Sequence, residues 1–444
     1  MPFVPHTPEE TDRMLACIGV KTLDDLFACI PASMRPKSFE LPKGLNEHDS
    51  CARFEQLAEN NAPPRISFMG GGFYDHFIPK AVDAISGRGE FLTAYTPYQA
   101  EASQGTLQAI YEYQTAVARI FDLDVANASV YDGGSAVFEA AMMAVRATKR
   151  SRLVLDENVN PLYRSMLATM AANLRVELVT VPSYETLPDL EKLASAMDNK
   201  TAAVIVQNPT FFGNVMDYTP LFSKAQSLGA LSILSVYPVL QSVLKTPGEM
   251  GADIAVADGQ SLGQPLNFGG PYLGMMACVK ILVRQLPGRL VGRTVDAVGS
   301  TGYVLTMQTR EQHIRRGKAT SNICSNQALC ALRALIHLCL LGPEGLIKTA
   351  ERGMELARYA AEKICALPGI SLRNKALFGN EFAIRLPGKA EAIYRFLLGQ
   401  GIVAGVLPGR WFPREDQTLL LAFTEKNNEA QVEQLTAGLR KASA

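Results

Sequence analysis

Between residues 152 and 279 the chain alternates short apolar runs with longer stretches in which apolar residues recur at helical spacing. Short apolar runs bounded by polar turns indicate strands buried on both faces, and the periodic stretches between them indicate helices that cover those faces. We therefore predict an α/β fold with a mostly parallel sheet. The predicted strands lie in RLVLDE (152–157), AAVIVQNP (202–209), LSILSV (231–236), DIAVAD (253–258) and YLGMMACV (272–279).

Helical periodicity also appears on both sides of this region. Each stretch carries apolar residues three or four positions apart, which is typical of one buried helix face. Helices are predicted over residues 104–123, 135–149, 162–173 and 221–228, in a zone at about 325–367, and near 389–399 and 428–442.

The pattern predicts three parts. Residues 1–65 contain short helices separated by prolines, the first beginning at Thr7, and are compatible with an arm that wraps a neighbouring chain or with a cap on their own domain. Residues 66–340 form the large α/β domain. Residues 341–444 form a smaller α+β domain, because the short strands ISLRN, EFAIRLP, GIVAGV and TLLLAF replace the earlier alternation.

Composition narrows the class of protein. The chain has 444 residues, 48% of them hydrophobic and 19% charged, which suits a globular protein of two domains. Its 43 basic and 43 acidic residues argue against nucleic acid or an anionic membrane surface as the main partner.

Cysteine and apolar patterns point to a cytoplasmic protein. Eight scattered cysteines without a C-x-x-C pair, and only five histidines, predict neither a disulfide framework nor a metal site. The start of the chain lacks the apolar core of a signal peptide. The longest apolar stretch, 328–341, is interrupted by Arg333 and His337 and is too short to span a bilayer, so we predict a buried helix there.

Two places have the composition of a ligand site at the end of a strand or the start of a helix. Gly133, Gly134 and Ser135 precede a predicted helix, where free backbone N–H groups and the positive helix end attract an anion. An ordinary loop with a helix cap explains the same residues. Asn208 follows a predicted strand, at the edge of a parallel sheet where ligands bind, although a simple turn is equally compatible.

Two polar loops are further candidates for a pocket or a subunit interface. GGGFYDHFIP (70–79) combines three glycines with possible proton-transfer and stacking groups, and YTPYQAEASQG (95–105) concentrates polar and aromatic residues before a long helix. The alternatives are a loop with a bonded histidine and a set of helix caps. The candidate residues are Tyr74, His76, Tyr95, Thr96, Tyr98, Gln99, Glu101 and Gln104.

Two basic stretches, 284–293 (RQLPGRLVGR) and 310–318 (REQHIRRGK), also stand out. Arginine clusters of this kind can hold a carboxylate or the acidic surface of a partner. As solvated surface segments they need no function, and this interpretation is the one that the sequence favours.

The segment DGQSLGQPLNFGGPYLG (258–274) resembles the lysine-bearing segment of pyridoxal-phosphate (PLP) enzymes of the aspartate-aminotransferase type, known as fold type I. In those enzymes a lysine amine forms a Schiff base with PLP, and an aspartate at the end of a neighbouring strand pairs with the ring nitrogen. No lysine lies between Lys245 and Lys280, and Gln260 and Ser261 stand in its place. LSILSVYPVL offers no carboxylate near Tyr237 for the ring.

These segments in this order resemble the glycine-cleavage-system P-protein family, and most closely the α subunit of its split form. The resemblance covers residues ~18 to ~345 with little interruption. It rests on IGVKTLDDLF, MGGGFYDHFIP, YTPYQAEASQGTLQAIYEYQ, ADGQSLGQPLNFGGPYLG, RQLPGRLVGRTVD and REQHIRRGKATSNICSNQAL.

The resemblance implies a PLP-dependent transferase-like fold and a role in glycine decarboxylation. It implies that a β subunit carries the lysine and PLP, and that the two chains pair as α2β2. Glycine then loses CO2, and its aminomethyl group passes to the lipoyl group of H-protein. The chain alone is expected to be inactive, with no self-contained catalytic residue and with a vestigial cofactor turn at Gly133, Gly134, Ser135 and Asn208.

Two other interpretations stay open at the level of sequence. The chain is compatible with a self-contained PLP enzyme that uses Lys245 or Lys280. It is also compatible with a non-catalytic scaffold or a regulatory paralogue of a PLP enzyme.

Overall fold

The computed structural model describes residues 6–36, 38, 40–61, 66–183, 185–267, 269–307 and 312–443. The chain divides into two compact units, Met1–Pro63 and Pro64–Ala444. The further division of the second unit near residue 340 stays a prediction.

The first unit is helical. Helix α1 (Pro8–Ile18) begins at Thr7, whose hydroxyl accepts a hydrogen bond from the Glu10 N–H (3.2 Å) while the Glu10 carboxylate accepts one from the Thr7 N–H (2.9 Å). This reciprocal pair satisfies two N–H groups that the helix leaves free, and it confirms the predicted helix start. Helix α2 (Glu47–Glu59) begins at Asn46. Two 3-10 turns lie between the helices, at Leu23–Phe27 and Ala32–Met34.

The second unit alternates helices and strands. Its helices are α3 (Lys80–Ser86), α4 (Gly89–Leu92), α5 (Gln104–Phe121), α6 (Gly133–Thr148), α7 (Pro161–Ala171), α8 (Leu190–Ala196), α9 (Thr219–Ser227), α10 (Pro247–Met250), α11 (Gln312–Arg315), α12 (Ala328–Cys365), α13 (Ala390–Gly399) and α14 (Glu429–Ser443). Its strands are β1 (Ile66–Ser67), β2 (Val125–Ala126), β3 (Arg152–Asp156), β4 (Glu177–Val181), β5 (Thr201–Asn208), β6 (Leu231–Val236), β7 (Ile254–Asp258), β8 (Gly274–Cys278), β9 (Leu290–Val295), β10 (Thr301–Thr306), β11 (Ser371–Leu372), β12 (Glu381–Arg385), β13 (Ile402–Val403) and β14 (Thr418–Ala422).

The central sheet has the strand order β2-β8-β7-β6-β5-β3-β4. Strands β3 to β7 run parallel to one another, and β8 pairs antiparallel with both β7 and β2, so the predicted mostly parallel sheet is confirmed. Side chains alternate between the two faces. In β5, Val204 and Val206 pack with α5, α9 and α12, whereas Ala203 and Ile205 pack with α6 and α7. Burial on both faces explains why these strands have continuous apolar sequences.

The C-terminal part contains the antiparallel sheet β11-β12-β14, packed with α12, α13 and α14 in a third apolar cluster. Strand β1 pairs in parallel with β13. Helix α12 is interrupted at Gly342 (φ 63°, ψ 179°), immediately before Pro343. This break adjoins the boundary predicted from the change of pattern.

Helix α12 is the one helix in the described part of the chain that is long and apolar enough, by length and composition alone, to cross a membrane. The break at Gly342 divides it. In its first half the Arg333 guanidinium donates to the Gly263 carbonyl (3.0 Å) and to the Asp83 carboxylate (2.7 Å). Residues of both halves pack in apolar clusters, as expected of a core helix.

Candidate functional site

A small cavity lies where three neighbouring parallel strands end, as expected for a ligand site in a sheet of this kind. Strand β5 ends at Asn208, β6 at Val236 and β7 at Asp258. The cavity has a volume of about 30 Å³, which is room for about two water molecules. The predicted residue Asn208 is buried, and its amide oxygen accepts a hydrogen bond from the Met216 N–H (2.9 Å).

The predicted anion turn forms the first turn of α6, and acids of this chain bond to it. The Asp132 carboxylate accepts from the Ser135 N–H (2.7 Å), and the Asp258 carboxylate accepts from the Gly133 N–H (3.0 Å). A side chain at Gly133 would come within 2.7 Å of the Tyr163 ring. Two of the N–H groups of this turn therefore bond to carboxylates of this chain, as in a capped helix start, and its role as a vestigial cofactor turn stays a prediction.

Burial controls the charge of Asp258. The side chain is almost completely buried, and this desolvation raises its pKa to about 7, although hydrogen bonds from the Gly133 and Gln260 N–H groups oppose the rise. The nearby Asp132 adds to the rise. Near neutral pH this carboxyl group is thus close to the midpoint of its titration.

Gln260, at the position where the resemblance places a lysine, joins two loops. Its side-chain oxygen accepts from the Tyr74 N–H (2.8 Å), and its NH2 group donates to the carbonyls of Tyr74 (3.0 Å) and Gln264 (3.0 Å). The residue is 1% exposed. An amide supplies both the donors and the acceptor, whereas a lysine has no acceptor for the Tyr74 N–H.

Glu381, at the start of β12, adds a second acid to the cavity wall. Its carboxylate accepts from the Tyr74 hydroxyl (2.9 Å) and from the Gly71 N–H (2.6 Å). Burial raises its pKa to about 7, despite these two bonds. The candidate residue Tyr74 is therefore buried within this chain, and all of its polar groups described above have partners in it.

The candidate residue His76 is also buried, between Tyr237 and Glu425. Burial keeps the Tyr237 pKa well above its usual value, so its hydroxyl stays protonated, and it is hydrogen-bonded to Nε2 of His76. Nδ1 of His76 donates to the Glu425 carboxylate (2.7 Å). Burial alone would raise the Glu425 pKa, but the bonds from His76 and from the Phe77 N–H (2.6 Å) hold it below its usual value.

These residues do not fit PLP bound covalently to this chain. Such a site needs an amine, free N–H donors for the phosphate and a carboxylate for the ring nitrogen. Here Gln260 replaces the amine, Asp258 bonds to the Gly133 N–H, and Tyr237 lies where β6 ends. A cavity of about 30 Å³ also lacks the space. Within the described ranges, no group of three or more His, Cys, Asp or Glu side chains could hold a metal ion.

The two alternative lysines do not line the cavity. The Lys245 amine bonds to the Asp217 carboxylate (3.1 Å) and to the Thr219 hydroxyl (2.7 Å). Lys280 follows β8, which runs antiparallel to β7, and so it lies at the edge of the sheet opposite the cavity. The structure does not favour a self-contained PLP enzyme that uses either of them.

The second candidate loop lies on the surface. Tyr95 is 76% exposed and Tyr98 56%, and Gln99, Glu101 and Gln104 are exposed, while Thr96 is half-buried. Anchoring contacts hold this loop in place. The Tyr95 hydroxyl bonds to that of Ser325 (2.9 Å), the Arg289 guanidinium lies over the Tyr98 ring (5.1 Å to its centroid), and Gln104 exchanges two bonds of 2.9 Å with the Tyr303 backbone. The role of this loop at a pocket or interface stays a prediction.

Sequence reasoning missed the acids of the site. Glu381 and Glu425 lie 307 and 349 residues from the side chains they bond. No local pattern marks either of them. The nearest signal was the loop 70–79, whose polar residues require partners if the loop is buried.

Solved structures of low identity share the fold. A Burkholderia pseudomallei sphingosine-1-phosphate lyase and a Lactobacillus brevis glutamate decarboxylase are each 14% identical, with TM-scores of 0.68. They cover 93% and 94% of this chain and 94% and 97% of their own. The predicted fold, that of PLP-dependent fold-type I enzymes, is confirmed.

Closer relatives identify the family. The model of the glycine cleavage system P-protein matches residues 1–439. A protein of Nitratidesulfovibrio vulgaris (strain DP4), named probable glycine dehydrogenase (decarboxylating) subunit 1, is 65% identical over 97% of this chain and 98% of its own length. A protein of the same name from Oleidesulfovibrio alaskensis is 62% identical over the same shares. A crystal structure of glycine decarboxylase (P-protein) of the glycine cleavage system, in inhibitor-bound form, is 41% identical with a TM-score of 0.93, covering 100% of both chains. This chain therefore belongs to the glycine cleavage system P-protein family.

Proposed function

We propose that this chain is the α subunit, subunit 1, of a glycine decarboxylase. Together with a β subunit it removes the carboxyl group of glycine as CO2 and passes the aminomethyl group to the lipoyl group of H-protein. The observation that carries the proposal is the combination of P-protein family membership with a cleft whose lysine position is a buried, fully bonded Gln260.

We infer that PLP is held by the β subunit. None of the described residues that line the cavity at the strand ends carries an amine, and Asp258 bonds to the first N–H group of α6. The resemblance assigns the missing lysine to the partner. The contribution of this chain is then to support the partner and to supply surface side chains, for which Tyr95 and Tyr98 are the candidates.

The exposed apolar side chains of the first unit support the proposal that another chain covers it. Large apolar side chains exposed on a compact unit usually mark a surface that another chain covers. This agrees with the prediction that residues 1–65 form an arm that wraps a neighbouring chain, as in an α2β2 complex. The exposed side chains are Met14, Ile18, Leu23, Leu26, Phe27, Ile30, Met34, Leu41, Leu45, Phe54 and Leu57.

We also propose a cytoplasmic location. All eight cysteines are unpaired, and Cys17, Cys29, Cys51, Cys324 and Cys339 are exposed. Free exposed thiols persist in a reducing compartment.

Co-expression with a lysine-bearing P-protein partner tests the function. With lipoylated H-protein, the purified complex is expected to exchange the glycine carboxyl with labelled bicarbonate, and each chain alone is expected to be inactive. A partner that is fully active without this chain would show instead that this chain is a regulatory or scaffold protein. Glycine turnover by this chain alone would also contradict the proposal.

A further inference from the structure

A second cavity lies between the first half of α5, the start of α12 and the segment at residues 91–97. Its volume is about 110 Å³. Twelve of its seventeen described lining residues are apolar or aromatic, among them Phe91, Ile110 and Leu332. It shares no described lining residue with the cavity at the strand ends, and the proposed function assigns no ligand to it.

The wall of this pocket carries little charge. Arg289 is the one charged side chain among the described lining residues, and its guanidinium donates to the Cys324 carbonyl (3.0 Å) and to the Tyr98 hydroxyl (3.3 Å). The other polar lining residues carry hydroxyl or amide groups. An ion that enters an apolar site without a partner has a large desolvation cost. The part of a ligand that lies inside this pocket is therefore uncharged.

Tyr113 supplies an unused hydrogen-bond donor at the wall. The residue is 1% exposed, and its hydroxyl has no hydrogen-bond partner among the described residues. Burial raises the Tyr113 pKa, so the hydroxyl keeps its proton. By contrast, the buried hydroxyls of Tyr74 and Tyr218 donate to Glu381 and to the Gln207 carbonyl. Since buried polar groups are nearly always bonded, the Tyr113 hydroxyl calls for a ligand that carries an acceptor.

The volume limits the ligand to a small group. An apolar cavity of about 150 Å³ holds one benzene molecule, so a pocket of about 110 Å³ holds about five or six heavy atoms. Leu92 and Tyr95 contribute to the wall and are exposed. They offer apolar contacts to any part of a longer ligand that extends out of the pocket.

We propose that this pocket binds an uncharged, mainly aliphatic group of about five or six heavy atoms that carries a hydrogen-bond acceptor. Its carbon atoms pack against the apolar wall, and its acceptor bonds to the Tyr113 hydroxyl. Two sources offer this chemistry. One is the five-membered disulfide ring of a lipoyl group, whose sulfur atoms are weak acceptors that pack well on aromatic rings, and this source rests on the proposed function. The other is a free ketone or ester of similar size.

Titration calorimetry of the full chain, without a partner subunit or PLP, tests the pocket. Cyclohexanone and lipoamide are expected to bind saturably, at one molecule per chain, and to compete with each other. Cyclohexylamine, which has nearly the same size but is a cation at neutral pH, is expected to bind at least about tenfold more weakly than cyclohexanone. Because no decarboxylation is measured, a failure of this experiment is distinct from a failure of the proposed function.

The two uncharged probes also distinguish the sources. Tighter binding of lipoamide than of cyclohexanone would assign the pocket to the lipoyl group. Binding of cyclohexanone alone would assign it to a free ketone or ester.

Two variants change the pocket in different ways. Ala109→Leu places a larger side chain from α5 into its volume, and binding of both probes is expected to weaken at least about tenfold. Tyr113→Phe keeps the shape and removes only the donor, so binding of cyclohexanone is expected to weaken about threefold to tenfold. The thermal midpoint of the free Tyr113→Phe chain is expected to stay the same or rise, because the lost hydroxyl had no partner.

Two matched variants serve as controls. Tyr218→Phe removes a buried hydroxyl that is bonded within the chain, so it is expected to lower the thermal midpoint and to leave probe affinity unchanged. Ala437→Leu enlarges an exposed alanine of α14 and is expected to bind the probes as the parent does.

Four results would overturn the proposal. They are the absence of saturable binding for both uncharged probes, equal affinity for cyclohexylamine and cyclohexanone, unchanged affinity in either pocket variant, and a fall in the midpoint of Tyr113→Phe as large as that of Tyr218→Phe. The last result would mean that the Tyr113 hydroxyl is bonded within the chain. Since Tyr113→Phe preserves the shape of the core, it keeps the test decisive even where Ala109→Leu does not fold.

Discussion

Replacement of Asp258 by Asn tests whether the cavity at the strand ends is closed to solvent. In the folded chain burial raises the Asp258 pKa from its ordinary 3.8 to about 7. Below about pH 3 the group is protonated in both the folded and the unfolded chain and does not lower the free energy of unfolding. As pH rises towards 7 the unfolded chain loses this proton first, so the free energy of unfolding falls with pH across this window.

The size of the effect follows from the same shift. Over the whole window the loss is about 4 kcal/mol, and between pH 5 and pH 8 it is about 2 to 3 kcal/mol. Asp258→Asn cannot ionise, and its side-chain oxygen still accepts from the Gly133 N–H. It gives up one acceptor, that for the Gln260 N–H, at a cost of about 1 to 3 kcal/mol that does not change with pH.

Urea unfolding of the parent and of Asp258→Asn at several pH values between 5 and 8 measures the difference. The variant is expected to gain about 2 to 3 kcal/mol on the parent as pH rises. Asp12→Asn, which changes an exposed helix aspartate, is the control and should track the parent. Parallel profiles for parent and Asp258→Asn would refute the reasoning, because they would mean that this carboxylate is solvated and the cleft open.

The remaining predictions concern the Gln260 side chain that joins two loops, the start of α6 and the surface loop at residues 95–105. Gln260→Met leaves three backbone groups without partners and should cost about 3 kcal/mol or more in urea unfolding; an unchanged midpoint would contradict the role of Gln260 in joining the two loops. Gly133→Ala places a methyl group against a buried tyrosine and should cost about 1 to 3 kcal/mol, whereas Gly105→Ala, in open space within a helix, should cost nothing; equal effects would count against the packing. Tyr95→Ala and Tyr98→Ala each remove one surface contact and should lower the stability of the chain by at most about 1 kcal/mol, while the exchange activity of the reconstituted complex falls about tenfold; unchanged turnover would remove that tyrosine from the interface.

The strands of the parallel sheet could be predicted because strands buried on both faces have continuous apolar sequences. The hairpin of β9 and β10 was not predicted. Strand β9 follows a basic segment that contains proline and glycine, and its residues after Val291 are partly or fully exposed. The short strand β2 and the strand β4 were missed for a related reason. Strand β4 is mostly half-exposed and sits at the sheet edge, so its sequence carries no continuous apolar run.

The missing amine was visible in the sequence, because a single position decides whether a Schiff base can form. The sequence did not show that side chains of this chain fill most of the cavity at the strand ends. Asp258 bonds to a backbone group 125 residues away, and Glu381 reaches Tyr74 across 307 residues. The first contact depends on the packing of α6 against β7, and the second on the packing of the C-terminal part against the large domain. No local rule sets that packing.

Reductive trapping of PLP in the reconstituted complex tests the central claim most directly. After incubation with PLP and reduction with borohydride, peptide mass mapping locates any pyridoxyl group that has become attached to a lysine. We expect one label per pair of subunits, on the partner and absent from this chain, including Lys245 and Lys280. A stoichiometric pyridoxyl group on any lysine of this chain would contradict the account.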